Sequence, residues 1–327
     1  MLDGRGLTAL AAGILEHSRA KATFPSWLRQ WGDGAMRRPN FFIVGAAKSG
    51  TTSMLRYLGQ HPDIAMPQRR EPVFFGRDLA SHAKKTATLD DYLEIFSGCG
   101  PEKIVGEKTV WYLYSKDAAD EIKAFDKNAK ILIMLRNPVD MVHSLHHQFL
   151  STGNEDVKSF DDALALTDER ASGRALPKTA HFPEGLLYTR IPLYSEQVQR
   201  YLRAFGSDQV QVIAFDEFCR NTADTFAKTL RFLEVDQAFT PEFVVYNKKK
   251  RPLVKQLSSA GENGASPLSL VPAALRWRLQ RLNQVEEKRA PMSASTRARL
   301  QELFRPDIEC LSAVLDRDFT HWCRHQA

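Results

Sequence analysis

Four short runs of consecutive apolar residues punctuate this chain: "NFFIVG" (40–45), "KIVGE" (103–107), "KILIML" (130–135) and "QVQVIAF" (209–215). Each is followed by a stretch whose apolar positions recur at helical spacing: 50–60 with Leu55 and Leu58, then 117–125, 138–152 and 222–233. Unbroken apolar strands that alternate with amphipathic helices predict an α/β fold. Its central sheet is parallel and covered by helices on both faces.

The remaining segments read as additions to this frame. Tyr194, Val198, Tyr201 and Phe205 mark a helix in the excursion between the third and fourth strands. "SGRALPKTAHFPEG" (172–185) carries Gly and Pro without periodicity, which predicts a loop or lid. "YNKKKRP" (246–252) predicts a basic loop and "SSAGENGASP" (258–267) a flexible one. Leu300, Leu303, Phe304, Ile308, Leu311 and Leu315 share one face of a C-terminal helix despite Pro306. Residues 1–38 read as an N-terminal helical extension to a single domain over 39–327. In the extension Leu7, Leu10, Ile14 and Leu15 form an apolar face. That face packs on the body or, with Arg37 and Arg38, makes a peripheral membrane contact.

Composition narrows the classes. The chain has 327 residues, 43% hydrophobic and 26% charged, as expected of a folded protein with a sizeable core. A net charge of +6 suits an acidic ligand but is too small and dispersed to imply nucleic acid. Cys99, Cys219, Cys310 and Cys323 form no C-x-x-C pair and lack a His cluster at zinc spacing, so no metal site is expected. Scattered cysteines fit a reducing compartment. No apolar stretch approaches the roughly 18 residues of a membrane span. The N-terminus lacks the layout of a signal peptide, and a cytoplasmic location is expected.

The candidate chemistry begins at "FFIVGAAKSGTTS" (41–53). Gly45 and Gly50 have the spacing of a triphosphate-binding P-loop, but Thr51 follows the second glycine and the lysine, Lys48, sits inside the loop. Successive backbone N–H groups at a helix N-terminus still cradle oxyanions there. Lys48 adds charge, and Thr51 and Thr52 add hydroxyls. A triphosphate loop also needs Mg²⁺ held by a strand-end Asp. Here "KILIMLR" ends in Arg136. The pattern suits an anionic group handled by cationic side chains without metal, and a sulfuryl group carried on a phosphate is such a group.

The motifs around this loop resemble those of sulfotransferases that use 3′-phosphoadenosine 5′-phosphosulfate (PAPS). "VGAAKSGTTSMLRYLGQHPDI" is similar to their 5′-phosphosulfate loop and "LRNPVDMVHS" to their 3′-phosphate motif. "EPVFFG" and "GEKTVWYLYS" resemble acceptor-site segments of the Golgi heparan-sulfate type and its bacterial relatives. "LLYTRIPLYSEQVQRYLRAFGSDQVQVIAFDEF" and "LFRPDIECLSAVLDRDFTHW" read like the bacterial branch, so the resemblance runs from about 40 to 322. It implies that Lys48, Ser49, Gly50, Thr51, Thr52 and Ser53 bind the 5′-phosphosulfate, mostly through backbone N–H groups. Arg136 and Ser144 would clamp the 3′-phosphate, with Lys249, Lys250 or Arg251 from the basic loop 248–251. Glu71, three residues before Phe74–Phe75, would be the general base, and Lys48 and Lys108 would stabilise the leaving oxygen. Arg69 and Arg70 are candidates for holding an acidic acceptor. Trp111, Tyr112 and Tyr114 either wall the acceptor cleft or belong to the core. His61 is a rival base in a structural-looking "HPD" turn, and His181 a further one. One departure is Pro192 in "PLYSEQ", where many bacterial relatives carry Gly-x-Tyr. The implied acceptor is a hydroxyl or amine of a saccharide or glycoconjugate. The competing readings are a metal-dependent P-loop kinase or ATPase and a nucleotide-binding module without chemistry.

Overall fold

The computed structural model describes residues 37–67, 71–79, 88–244 and 291–324, together with the backbone of 250–252 and 284–286. The N-terminal extension before residue 37, Arg69, Arg70, Lys248, Lys249 and the 258–267 segment lie outside the described residues. Arg37 and Arg38 lie within them and engage the domain. Arg37 donates to the Glu102 carbonyl, and the Arg38 guanidinium lies 4.3 Å from the Phe125 ring centroid.

The elements in chain order are β1 (Phe41–Gly45), α1 (Thr51–Leu58), β2 (Ile64–Ala65), α2 (Leu89–Glu94), β3 (Ile104–Lys108), α3 (Ala118–Phe125), β4 (Lys130–Leu135), α4 (Pro138–Thr152), α5 (Phe160–Ala165) and α6 (Thr167–Ala171). They continue as α7 (Tyr194–Phe205), β5 (Val210–Ala214), α8 (Phe215–Arg220), α9 (Thr222–Phe232), β6 (Lys250–Pro252), β7 (Gln284–Glu286) and α10 (Ala294–Leu315). Five strands form one parallel sheet in the order β2-β3-β1-β4-β5. The sequence predicts four of them. The fifth, β2, is two residues long and carries no periodic signal. The 209–215 run ends as a strand at Ala214, and Phe215 opens α8 instead. The basic 246–252 segment is not wholly a loop, since Lys250–Pro252 pairs antiparallel with Gln284–Glu286.

The parallel sheet needs apolar cover on both faces, and strand alternation supplies it. Phe41 and Ile43 of β1 join Leu132, Met134 and Ile213 on one face, against Met54, Tyr57 and Leu58 of α1 and Phe226 and Leu230 of α9. Phe42 points the other way, edge-on to Phe75 and Phe125. Phe41, Phe42, Ile43 and Val44 are all fully buried, a contribution of roughly 1.5–3 kcal/mol each.

Two polar devices set the helices around the sheet. Helix α10 runs through Pro306, and the next residue, Asp307, accepts from the Tyr194 N–H at 2.6 Å and the Ser195 N–H at 3.2 Å. An aspartate from another helix thus caps the orphan donors of α7. Glu155, just past α4, receives a two-pronged ion pair from Arg170 of α6 at 2.7 and 2.8 Å and a hydrogen bond from Tyr188 at 3.0 Å. Both charged side chains are fully buried. This pairing fastens the excursion between α4 and α7, whose 172–185 segment is irregular as expected up to residue 182 and ends in a short 3-10 turn at Pro183–Leu186. Among the described residues no helix is long and apolar enough to cross a membrane.

Candidate active site

Chain order reverses at β1, which has β3 on one side and β4 on the other. A crevice opens at the carboxyl ends of strands at such a switch point, and ligands of open α/β sheets bind there. The topology therefore sets the loop after β1 between the end of β3, Lys108, and the residue after β4, Arg136.

Two glycines shape that loop. A Cβ on Gly45 would stand 2.6 Å from Leu113 Cβ and 2.9 Å from the Val110 carbonyl oxygen, so only glycine lets β1 meet the segment after β3. Gly50, the N-cap of α1, has φ 86°, and a Cβ there would lie 2.9 Å from the Phe215 ring. The N–H groups of Ser49, Gly50, Thr51 and Thr52 make no backbone hydrogen bond among the described residues. The first turn of α1 contains no acidic side chain. These donors at a helix N-terminus form an anion cradle. Ser53 differs, because its N–H is engaged by the Gly50 carbonyl at 3.0 Å and leaves only the hydroxyl for a ligand. The Ser49 side chain is buried and donates to the Ala47 carbonyl at 3.3 Å, so Ser49 offers its backbone.

Arg136 reaches this loop directly. Its Nη1 donates to the Lys48 carbonyl at 3.1 Å, and its guanidinium stacks 4.9 Å from the Phe215 ring centroid. Burial lowers its pKa from the ordinary value, opposed by Asp140 and Tyr194. The following Asn137–Pro138 starts α4, with Asn137 capping Val139 N at 3.0 Å and Pro138 at the first helical position. Ser144 lies two turns on, fully buried, with its hydroxyl in no hydrogen bond among the described residues. A buried hydroxyl without a partner costs stability unless a ligand or water completes it. Both residues fit a phosphate ligand, one by charge and the other by its open hydrogen-bonding capacity.

On the opposite flank, Lys108 Nζ lies 2.5 Å from Glu71 Oε1, and the Val110 N–H donates to Glu71 Oε2 at 3.3 Å. Both side chains keep some exposure, 13% for Lys108 and 23% for Glu71. Parallel pairing sets Ile43 beside Lys108, and the Leu113 N–H donates to the Val44 carbonyl at 2.8 Å. The carboxylate–ammonium pair therefore flanks the strand that leads into the anion loop.

The other candidates separate cleanly. His61 is buried, accepts from the Asp63 N–H at 3.0 Å through Nδ1 and meets the Asp236 carbonyl at 3.0 Å through Nε2, which is a structural role. His181 is exposed, but its neighbour Phe182 lies 4.0 Å from the Trp111 ring centroid. Trp111 and Tyr114 are partly exposed, whereas Tyr112 is fully buried and belongs to the core. Lys249 lies outside the described residues. Lys250 and Arg251 are described as backbone in β6 alone. Two residues near the site escape sequence reasoning. Phe215 looks like the end of a strand but is the floor under Arg136 and Gly50. Glu107 looks like a polar strand end and is fully buried.

Backbone donors gathered at a switch point mark the phosphate-handling α/β folds, and this chain is one of them. Within that class it belongs to the sulfotransferase family, whose domain model matches residues 38–312. It is 27% identical over 267 residues to mouse heparan sulfate glucosamine 3-O-sulfotransferase 3B1, a match that covers 79% of this chain and 63% of that protein. Mouse heparan sulfate glucosamine 3-O-sulfotransferase 6 is also 27% identical over 267 residues, covering 76% of this chain and 70% of that one. The chain thus spans under two thirds of the first of these relatives. The crystal structure of a sulfotransferase from Alicyclobacillus acidocaldarius superposes with a TM-score of 0.68 at 31% identity, covering 88% of this chain and 100% of that one.

Proposed function

We propose that this chain transfers a sulfuryl group from PAPS to a hydroxyl, or an amine, of a saccharide or glycoconjugate acceptor. What supports the reading is a backbone anion cradle that Arg136 touches at the Lys48 carbonyl, together with the buried Ser144 hydroxyl on α4 and the Glu71–Lys108 pair beside β1. When bound, PAPS supplies the sulfuryl group, with adenosine bisphosphate as the leaving portion. The N–H groups from Ser49 to Thr52 and the Lys48 ammonium hold the 5′ end, while Arg136 and the Ser144 hydroxyl hold the 3′-phosphate. Lys250 and Arg251 of β6, with Lys249, belong to the same reading as further phosphate contacts. Glu71 takes the acceptor proton, because a hydroxyl is a poor nucleophile at neutral pH. Lys108 and Lys48 set positive charge where the bridging oxygen gains negative charge. Lys108 stands within reach of Glu71, so a single ammonium serves both the base and the reacting centre.

The saccharide acceptor rests on the likeness to the heparan sulfate glucosamine 3-O-sulfotransferases. Trp111, packed against Phe182, and Tyr114 are both partly exposed, and we assign them to an aromatic wall for a sugar face. A magnesium-dependent kinase calls for a carboxylate at the end of β4, where this chain has Arg136. Calorimetry with 3′-phosphoadenosine 5′-phosphate and with ATP, each with and without Mg²⁺, tests the reading. The bisphosphate is expected to bind without metal and to outcompete ATP. Metal-dependent ATP binding that displaces the bisphosphate overturns it.

A further inference from the structure

Residues 71–79 carry Glu71 without any helix or strand to hold them. Their backbone is not relaxed. Val73 has φ 53°, a left-handed conformation that β-branched residues avoid. Such a conformation persists only where surrounding contacts over-determine it. Those contacts come from the 107–121 stretch. Immediately after Val73, the N–H groups of Phe74 and Phe75 both donate to the single hydroxyl oxygen of Tyr112, at 2.9 and 3.2 Å. The Gly76 N–H donates to Glu121 at 2.7 Å, and Asp78 accepts from the Ser115 hydroxyl and from the Lys116 N–H.

The Tyr112 hydroxyl is the point on which the turn depends. Its two lone pairs are filled by two backbone donors, so its proton must find an acceptor. Among the fully buried groups around it, Glu107 is the acceptor we assign to that proton. Glu107 is buried completely and also receives the Tyr92 hydroxyl and, at 2.8 Å, the Thr109 hydroxyl. Two hydroxyls thus reach one carboxyl at the end of β3, and the ring of one donor, Tyr92, stacks on Phe74 with centroids 4.3 Å apart. Alternation on that strand turns Glu107 inward and its neighbour Lys108 toward Glu71. The 71–75 turn is thus held at three points: through Lys108 on the Glu71 side chain, through Tyr112 on the Phe74 and Phe75 backbone, and through Glu107, whose donor Tyr92 stacks on Phe74.

We propose that Glu107 and Tyr112 are positioning residues for the general base: they lock the left-handed turn at Val73 and so aim the Glu71 carboxylate into the crevice. This rests on the reading of Glu71 as the base. A buried carboxyl with two hydroxyl donors is an expensive way to fill a core, and an apolar side chain in its place would leave the Tyr92 and Thr109 protons without their acceptor.

The test compares four proteins, wild type, Glu71→Gln, Tyr112→Phe and the Glu71→Gln/Tyr112→Phe double variant. Turnover is read as release of labelled sulfate from PAPS to water, which needs no identified acceptor, and bisphosphate affinity is read by calorimetry. Tyr112→Phe is expected to lower turnover roughly 10- to 100-fold, the scale of a misplaced catalytic group. Bisphosphate affinity should stay within about twofold, since the phosphate contacts lie in other elements. In the Glu71→Gln background the same substitution is expected to cost under about twofold more, because the base it aims is already gone. Glu107→Gln should follow Tyr112→Phe. A folded Tyr112→Phe protein with wild-type turnover overturns the proposal, and so does an equal fold-loss in both backgrounds, which marks a purely structural role. Should both core variants fail to fold, Tyr92→Phe removes one of the two hydroxyl donors to Glu107 and is expected to lower turnover about two- to tenfold with unchanged bisphosphate affinity; no change there overturns the proposal equally. Full turnover in Glu71→Gln alone instead removes the base assignment on which the proposal stands.

Discussion

Two buried glutamates show how environment sets a side chain's chemistry. Burial raises the Glu107 carboxyl to about 7, only partly offset by the hydroxyls of Tyr92, Tyr112 and Thr109, and Glu71 nearby adds to the rise. Glu155 is also penalised by burial, but hydrogen bonds from Arg170, from the Val157 N–H and from Tyr188 hold its carboxyl below the usual range. The signs for stability are opposite. Between the ordinary carboxyl range and about 7, the folded chain keeps a proton on Glu107 that the unfolded chain has released. That contribution is present below the unfolded value and is lost as pH rises through about 7. Glu155 contributes stability above its unfolded value and loses it as the pH falls through its depressed folded value. Glu107→Gln is therefore expected to flatten the decline in stability between about pH 5 and 8, a slope of at most about 1.4 kcal/mol per pH unit for one proton. Denaturation midpoints across that range check it, and a profile identical to wild type would show that Glu107 does not titrate there. At Arg136 the relevant quantity is affinity. Arg136→Ala should weaken the bisphosphate by roughly 10- to 150-fold, the worth of one charge-assisted contact, with the fold retained. An unchanged dissociation constant in a folded variant removes Arg136 from the phosphate site.

At the level of elements, the anion loop depends on where α1 begins. Gly50 serves as N-cap at φ 86° and lies against Phe215, so Gly50→Ala meets both a conformational and a steric penalty. It should shift the first turn of α1 and weaken bisphosphate binding at least about tenfold, on the order of 1.4 kcal/mol. Calorimetry reads the affinity, and circular dichroism confirms that helix content survives. The element also shows what a sequence discloses. β1, β4 and α4 were legible because an unbroken apolar run, or an Asn-Pro start with a following periodic stretch, marks each. The loop residues from Lys48 to Thr52, and Arg136, were legible because local order along the chain puts them at strand ends. β2 was not, at two residues, and neither were α2, α5 and α6 at five or six, too short to show a period. α8 was hidden because Phe215 continues an apolar run that ends as a strand at Ala214. Glu107 was hidden for a different reason. Its donor Tyr92 lies fifteen residues before it in the chain, and only the fold of the 88–96 segment over β3 brings the two together.

Across the whole molecule, the parallel sheet sets the loop after β1 between the ends of β3 and β4, and the proposed site is expected to divide into two energetically separable parts. On the proposed reading, the phosphate contacts are the 48–52 backbone, in the loop after β1 and the first turn of α1, with Arg136 just after β4 and Ser144 on α4. On the same reading, the base Glu71 lies in the 71–79 segment and its lysine, Lys108, at the end of β3. Ligand binding to the folded state alone stabilises it by mass action, about 2.7 kcal/mol at one hundred times the dissociation constant. For a chain of this size that corresponds to a rise of several degrees in the melting temperature, at roughly 2–4 °C per kcal/mol. The bisphosphate lacks the sulfuryl group, so its shift reports the phosphate part only. Glu71→Gln is expected to keep the wild-type shift at equal ligand concentration while turnover falls by roughly 10²–10⁴, the usual worth of general acid–base catalysis. Arg136→Ala is expected to lose most of the shift, about 1.4 kcal/mol for each tenfold loss of affinity. The measurement is a thermal-shift series at fixed bisphosphate on the three proteins, paired with turnover. Equal shifts in Arg136→Ala and Glu71→Gln would show that the two flanks of the crevice act as one unit, and the division between nucleotide holding and proton transfer would fall.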